Sequence, residues 1–382
     1  MMDLEFLLER FSEPWVLACG GLTVGLLFGF FAQQSRFCLR AAVIEFTHGT
    51  IGQKLAVWLL TFSAAVLGTQ LLIVNDMANL SEARQLASPQ SLSGAALGGL
   101  MFGTGMVLAR GCASRLLVLS ATGNLRALLS GLVFAVVAQA SLRGFLEPVR
   151  QELAALYTTA DIGGNDLLAF VGASTPSAIA FAGLWLAAGF VVAVHSRTHI
   201  WRAIAAVGTG LAIPLAWWFT DSMARQAFDP VQVEGVTFTG PSADTLMLFL
   251  SPPGSILDFD VGLVPGVFLG SFLAALVTRE LKIQGFHDAA SMRRYLFGAA
   301  LMGFGGMLAG GCAVGAGVTG ASIFAVTAWV TLSAIWLSAT ITDRLLMERD
   351  RVILETELAA GGTGSPGLAG PGAAALPGSR ST

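Results

Sequence analysis

Residues 98–113 read GGLMFGTGMVLARGCA, and residues 298–313 read GAALMGFGGMLAGGCA. Eight residues of the first copy recur in the second copy 200 positions later, as Gly298, Gly303, Gly305, Leu308, Ala309, Gly311, Cys312 and Ala313. Both copies are apolar and glycine-rich, and both end in Gly-Cys-Ala. Because Cys112 and Cys312 hold equivalent positions in a repeat, they predict one site at the interface of a duplicated fold.

The composition is that of a membrane protein. Hydrophobic residues make up 54% of the chain and charged residues 12%, whereas soluble domains carry about 25% charged residues. Charge-free windows occur at 14–35, 55–75, 167–194, 203–220 and 296–342. Shorter windows at 93–109, 127–142 and 261–278 indicate short, tilted or re-entrant helices. Since a spanning helix needs roughly 20 residues, we predict an all-α polytopic membrane protein with about nine transmembrane helices and short re-entrant helices.

The charged loops predict an orientation and a domain organisation. The loops at 36–54, 195–202 and 279–294 are basic, so they are predicted to lie on the inner side of the membrane. With nine spans, the N-terminus is then expected outside and the C-terminus inside. We predict one transmembrane domain over residues 1–355, with repeat halves at about 15–142 and 245–342 joined by helices and loops at 143–244. The Gly/Ala/Pro-rich tail at 356–382 is expected to be disordered.

A second repeat element is GLxxGxxxG, at 21–29 and again at 262–270. The span count gives these two helices the same direction, and it gives the two Gly-Cys helices opposite directions. A single inverted duplication cannot satisfy both. Either one short segment re-enters the membrane, or the GLxxGxxxG match is generic small-residue packing.

The two Gly-Cys segments are predicted to be broken helices. Gly111 and Gly311 are expected to permit the break, and the second half-helix offers unpaired N–H groups that attract an anion. A single buried cysteine is usually a small hydrophobic residue. The repetition favours function for Cys112 and Cys312, and Cys38 is a third candidate because it follows Ser35-Arg36-Phe37 at the end of a span.

The surroundings of these cysteines limit the chemistry. The four cysteines contain no CxxC pair, which argues against a zinc site, and no metal or cofactor is expected. No histidine or carboxylate stands beside the glycine breaks, so nucleophilic catalysis is disfavoured and the chain is not expected to be an enzyme. Thiols without a base can donate weak S–H hydrogen bonds to a soft anion. The net charge of −3 without a Lys/Arg run indicates no nucleic-acid partner.

Arginines flank the cysteine motifs. Arg36 and Arg110, with Arg40 and Arg115 nearby, either draw anions toward the site or snorkel at helix ends. Gly310 replaces Arg110 in the second copy, so Arg110 cannot belong to a symmetric site.

Three segments carry a family resemblance: FGFFAQQSRFCLRAA (28–42), GTGMVLARGCASR (103–115) and GFGGMLAGGCAVGAGVTG (303–320). They resemble the signature segments of the YeeE/YedE-like sulfur transporter family. The resemblance implies uptake of thiosulfate or a related sulfur anion across the bacterial inner membrane, through an hourglass-shaped fold with an internal pseudo-two-fold repeat. It also implies that Cys38, Cys112 and Cys312 pass the ion along, and that a small soluble sulfur-carrier protein is a candidate partner.

Two other functions stay open. The chain is either a membrane protein of sulfur or selenium transfer, or a scaffold for a soluble sulfur carrier. Both rank below transport because the glycine breaks lie inside the predicted spans, where irregular backbone lines a cavity or is buried in protein.

Overall fold

A computed structural model describes residues 5–173, 175–250, 257–285 and 289–359. This part of the chain is helical throughout and contains no β-strand, with isolated bridges as the exception. A 3₁₀ turn covers Thr159–Ile162 and a π-helical turn covers Ala313–Thr319. In chain order the α-helices are α1 (Glu5–Arg10), α2 (Glu13–Ser35), α3 (Leu39–Thr47), α4 (Gln53–Val74), α5 (Arg84–Ala87), α6 (Leu92–Leu108), α7 (Ala113–Ala121), α8 (Leu125–Arg143), α9 (Glu147–Ala155), α10 (Leu167–Val171), α11 (Thr175–His195), α12 (Ile200–Gln226), α13 (Thr239–Leu250), α14 (Phe259–Val277), α15 (Ala289–Leu308), α16 (Gly320–Ser322) and α17 (Val326–Ala359).

The all-α, multi-pass class is confirmed. By length and composition, seven segments of the described chain can cross a membrane, and the bent pair Ser291–Leu308 plus Ala313–Ser322 raises the number to eight. Two of the seven, Glu13–Thr47 and Leu92–Ala121, contain an internal break. The charge-free window 296–342 also includes the start of α17, which is not among these segments. The number nine therefore stays a prediction.

The chain divides into two compact units, Met1–Thr340 and Ile341–Thr382. In the described part of the second unit, α17 continues through Ala359. The first four residues of the tail predicted at 356–382 are thus helical, and the remaining predicted tail lies outside the described residues. The predicted domain boundary at residue 355 stays a prediction.

The two GLxxGxxxG helices pack directly on each other. A Cβ at Gly21, Gly25 or Gly29 would overlap the backbone of α14, and a Cβ at Gly262, Gly266 or Gly270 would overlap the backbone of α2. The contacts advance together along both helices, so α2 and α14 run parallel. Glycine is required here because backbones this close leave no room for a side chain. The match is thus a specific packing interface between α2 and α14.

The two Gly-Cys helices also pack on each other, in the antiparallel direction. A methyl group at Gly98 would lie 2.6 Å from the Ala309 nitrogen, and one at Gly298 would lie 2.7 Å from the Ala109 nitrogen. The opposite directions expected for α6 and α15 are therefore observed. An internal two-fold axis and the hourglass outline stay predictions.

The segment predicted to connect the repeats packs against the first half of the chain. α11 contacts α4, and α12 contacts both α2 and α4. α13 begins at Thr239, and α12 continues to Gln226. Its buried Asp221 forms a 3.0 Å ion pair with Arg225 one turn later, which lets the helix carry two charges near its end. Further along the chain, Phe324 adopts left-handed backbone with φ of 55° just before α17.

The close contact of α2 and α14 generates a stability prediction. Replacing Gly25 with alanine would place a methyl group against the Leu263 carbonyl oxygen and 2.9 Å from the Val267 nitrogen. We expect a loss of about 1–3 kcal/mol from overpacking, visible as a lower Tm in detergent. Gly183→Ala in α11 is the matched control, since nothing lies within 4 Å of the added methyl group. An equal Tm for G25A and G183A would show that the helix pair is looser than described.

Candidate functional site: three helix breaks that carry thiols

Three helices break in the same way, and each break ends in a cysteine. The breaks follow α2, α6 and α15, where Arg36, Arg110 and Gly310 adopt left-handed backbone with φ of 56°, 58° and 74°. In each case the cysteine stands two residues later. A left-handed residue commonly ends an α-helix, so these residues account for the position of each break.

Each cysteine is the N-cap of the helix that follows its break. Cys38 precedes α3, Cys112 precedes α7, and Cys312 precedes the π-helical turn, all with extended backbone. The Cys312 Sγ accepts a hydrogen bond from the Gly315 N–H at 3.4 Å. N-caps of α-helices are usually Ser, Thr, Asp or Asn. A thiol in this position is a weaker cap, and it leaves a polarizable sulfur at a helix start.

The structure brings Cys38 and Cys112 together. Their thiols lie close enough to interact directly, and Ser114 Oγ lies 3.4 Å from Cys112 Sγ. Cys112 is 1% exposed, Cys38 is half-buried, and both thiols are free. We call this group the thiol pair.

Cys312 lies at one end of the α6–α15 contact, and Cys112 lies at the other end. Ala109 lies beside Gly298, whereas Ala309 lies beside Gly98. Eleven residues of α6 separate these two levels, which is roughly 16 Å at 1.5 Å per residue. The breaks that carry Cys112 and Cys312 are thus separated along the helix pair. The repeat had predicted one site shared by both cysteines, and this arrangement differs from that prediction.

Buried hydroxyl groups surround the third break. The extended segment before α13 passes over it, and Thr319 Oγ1 donates to the Val236 carbonyl oxygen at 2.6 Å. Thr237 is so close that a Cβ at Gly315 would overlap its Oγ1. The Oγ1 atoms of Thr237 and Thr239 are buried and have no hydrogen-bond partner among the described residues. The Thr237 hydroxyl thus lies beside the turn that begins at Cys312, and the Thr239 hydroxyl lies beside Gly306 of α15.

A cavity of about 760 Å³ reaches this break. We call it the acidic cavity. Its wall includes Thr237, Met307 and Gly310, the residue that begins the break. Its charged lining consists of Glu13, Asp229, Glu234, Asp244, Asp258, Asp260, Arg84, Arg143 and Arg150. The lining thus carries both signs of charge, with acids in excess.

One of these acids titrates near neutral pH. The pKa of Glu234 is raised to about 7, mainly by burial and in smaller part by Asp258 and Asp244, while Arg84 acts in the opposite direction. Burial also raises the pKa of Asp244. The charge of the acidic cavity therefore changes within the physiological pH range.

The predicted arginines and glycines have different surroundings from those expected. Arg36 Nη2 donates to Glu280 Oε1 at 2.9 Å, and the exposed Arg110 lies over the Tyr295 ring at 5.8 Å. Arg110 thus faces an aromatic ring.

Gly111 would accept a Cβ at ordinary contact, 3.4 Å from Leu116, whereas a Cβ at Gly311 would lie 2.7 Å from the Ala316 nitrogen. Close backbone approach therefore requires glycine at the third break only, and the left-handed residues stand one position earlier.

Arg115, one of the arginines that the sequence places near the cysteine motifs, lies beside the thiol pair. It lies in the first turn of α7, and its charge acts on Cys38 and Cys112. Its Nη1 is buried and has no partner among the described residues. The available signal was its position three residues after Cys112, which returns the side chain toward the start of α7.

Comparison with known proteins gives consistent matches. A family model described as Sulphur transport matches residues 34–341. A protein of Escherichia coli (strain K12) named thiosulfate transporter TsuA is 28% identical over 313 residues, covering 76% of this chain and 83% of that protein. A protein of Spirochaeta thermophila with the same name is 28% identical over 306 residues, covering 76% of this chain and 87% of its own length.

The thiol pair generates a cross-linking prediction. In a Cys19→Ser, Cys312→Ala background, mild oxidation should join Cys38 to Cys112, detected as a disulfide-linked peptide by mass spectrometry. A matched variant that keeps Cys112 and Cys312, with Cys19→Ser and Cys38→Ala, should yield no intramolecular cross-link, because its two breaks lie at opposite ends of α6. Efficient cross-linking in the second variant, with none in the first, would reverse this assignment of neighbours.

Proposed function

Because the chain belongs to the sulphur transport family, we propose that it carries thiosulfate or a related soft sulfur anion inward across the bacterial inner membrane. In this proposal the chain acts as a carrier and performs no chemical step on the ion. The three thiols contact the ion in succession: Cys312 first, then Cys112, then Cys38 on the inner side. The observation that carries the proposal is the repeated arrangement of a left-handed residue, a helix break and an N-capping cysteine.

The chemistry of the breaks supports a soft anion. A thiol donates only a weak hydrogen bond, so it holds a small, hard, strongly hydrated ion poorly. A terminal sulfur atom is large and polarizable, and it suits such a donor. α3 and α7 add unpaired N–H groups and the positive ends of their dipoles next to the thiol pair. The donors are weak individually, which allows the ion to leave as well as to enter.

The acidic cavity supports the direction of entry. It reaches the third break, and the unpartnered hydroxyl of Thr237 lies in its wall. An ion that enters there meets Thr237 and Cys312 before it reaches the thiol pair. The basic segment 36–54, which contains Cys38, and the basic loop at 279–294 favour the cytoplasm for the opposite end.

Uptake of labelled thiosulfate into proteoliposomes tests this function. The wild-type protein should transport it, whereas Cys112→Ala and Cys312→Ala should lose at least nine-tenths of the rate, since each removes the polarizable thiol from one of the breaks that the ion passes in this proposal. Cys19→Ala should keep the wild-type rate, because Cys19 is exposed in α2 and distant in sequence from every break. Equal amounts of folded protein are verified by size-exclusion chromatography.

Two results would count against the proposal. If the wild-type protein moved no thiosulfate under any gradient, the transport function itself would be wrong. If it transported but the C112A and C312A variants matched C19A, transport would stand and the thiol contacts would be wrong.

The raised pKa of Glu234 generates a pH prediction. With a pKa of about 7, this group is mostly protonated at pH 6 and mostly ionised at pH 8 on the outer side. Protonation removes a negative charge from the wall that an entering anion passes, so uptake should be faster at pH 6. Glu234→Gln should show the faster rate at both pH values, measured as initial uptake at constant inner pH. A wild-type rate that rises with pH would contradict the role of this carboxylate.

A further inference from the structure

We propose that Arg115 and the thiol pair form a two-ended binding site, in which the guanidinium receives the oxyanion end of the ion and the thiols receive its soft sulfur end. This inference rests on the proposed transport of a sulfur anion and names the residue that recognises its charge. The ligand class is an anion that joins an oxyanion group to a terminal sulfur or selenium atom.

The first argument is the unsatisfied donor. Arg115 Nη1 is buried without a partner, and no hydrogen bond or ion pair of this guanidinium is found among the described residues. A buried charge without a counter-ion is strongly unfavourable, because burial removes its hydration and nothing replaces it. An anionic ligand would supply both the missing acceptor and the missing charge.

The second argument is the excess of positive charge around Arg115. Arg36 and Lys54 lie within its electrostatic neighbourhood. Glu280 is the carboxylate that acts on Arg115, but its two oxygens are already held by Arg36 Nη2 and Gln33 Nε2, each at 2.9 Å. The local charge is therefore neutralised only in part, and the remaining excess favours an anion.

The third argument is the chemical contrast within one site. A guanidinium presents a rigid fork of N–H donors that fits two oxygens of a tetrahedral oxyanion. The thiols of Cys38 and Cys112 present weak donors and polarizable sulfur. Sulfate satisfies only the first group, and thiocyanate, a soft anion without an oxyanion group, satisfies only the second. Thiosulfate satisfies both, so the site should prefer it to either.

The experiment compares three arginine variants in the proteoliposome assay. Arg115→Gln should raise the half-saturating thiosulfate concentration at least tenfold, because it removes the charge and the fork. Arg115→Lys should give an intermediate value, since it keeps the charge without the fork. Arg126→Gln is the matched control: Arg126 lies over the Tyr295 ring at 4.6 Å, outside the site, and its half-saturating concentration should equal that of the wild type.

Competition separates recognition from a general loss of folding. In the wild type, sulfate and thiocyanate should each inhibit at least tenfold more weakly than unlabelled thiosulfate. In R115K, inhibition by sulfate should weaken further while inhibition by thiocyanate stays constant, because only the oxyanion end loses contacts. This comparison needs only the conservative variant, so it remains decisive if R115Q does not fold.

The outcomes distinguish the two proposals. A wild-type protein without thiosulfate transport would refute the proposed function, and this inference with it. A transporting wild type, with R115K unchanged in both half-saturation and inhibition by sulfate, would refute the role of Arg115 and leave transport intact. Thiocyanate that competed as strongly as thiosulfate would also refute the two-ended site, because the oxyanion end would then add nothing to binding.

Discussion

Backbone contact between glycine-lined helices is the constraint on which the rest of this structure depends. In a membrane, the hydrophobic effect does not drive one helix against another, so close van der Waals packing has to supply the attraction. α2 with α14, and α6 with α15, achieve it by presenting glycines to each other's carbonyl oxygens. Because three of these four helices end at a thiol-bearing break, the same contacts that hold the pairs together also fix the positions of the breaks.

The breaks are permitted because their polar groups are satisfied or enclosed. Interrupting a helix leaves N–H and C=O groups without intrahelical partners, and exposed groups of this kind are strongly unfavourable in lipid. Here the second half-helix begins within a few residues of each break, and at the third break the Cys312 Sγ accepts a hydrogen bond from the Gly315 N–H. At Arg36 and Arg110 a side chain tolerates the left-handed conformation that glycine adopts readily at Gly310. The three breaks therefore share the same backbone geometry, although the left-handed residue is arginine at two of them and glycine at the third.

Much of this could be predicted from sequence, for definite physical reasons. Charge-free windows revealed most of the long helices, because lipid leaves little alternative for such segments. The sequence also predicted the opposite directions of α6 and α15, but it left the meaning of the GLxxGxxxG match open. The breaks were predicted from Gly-Cys, although the residue that turns the chain precedes Gly111. Tertiary contacts could not be predicted. No sequence pattern indicates that Arg110 lies over Tyr295, that Arg115 Nη1 has no partner among the described residues, or that Thr237 lies beside the third break. The separation of Cys112 from Cys312 follows from antiparallel packing, whose register a repeat alone does not fix.

Under the proposed function, the separation of Cys112 from Cys312 has a consequence for how the ion would move. A single site that held a divalent anion tightly would also release it slowly, since binding that favours entry opposes exit. Two stations of different character avoid this. Near Cys312 the donors are neutral hydroxyl, amide and thiol groups, whereas the thiol pair adds Arg115 and the basic groups around it. In the proposed transport, the positive charge near the thiol pair would attract the ion from the first station. The Arg36–Glu280 ion pair keeps part of that charge neutralised, which limits how tightly the second station can hold it.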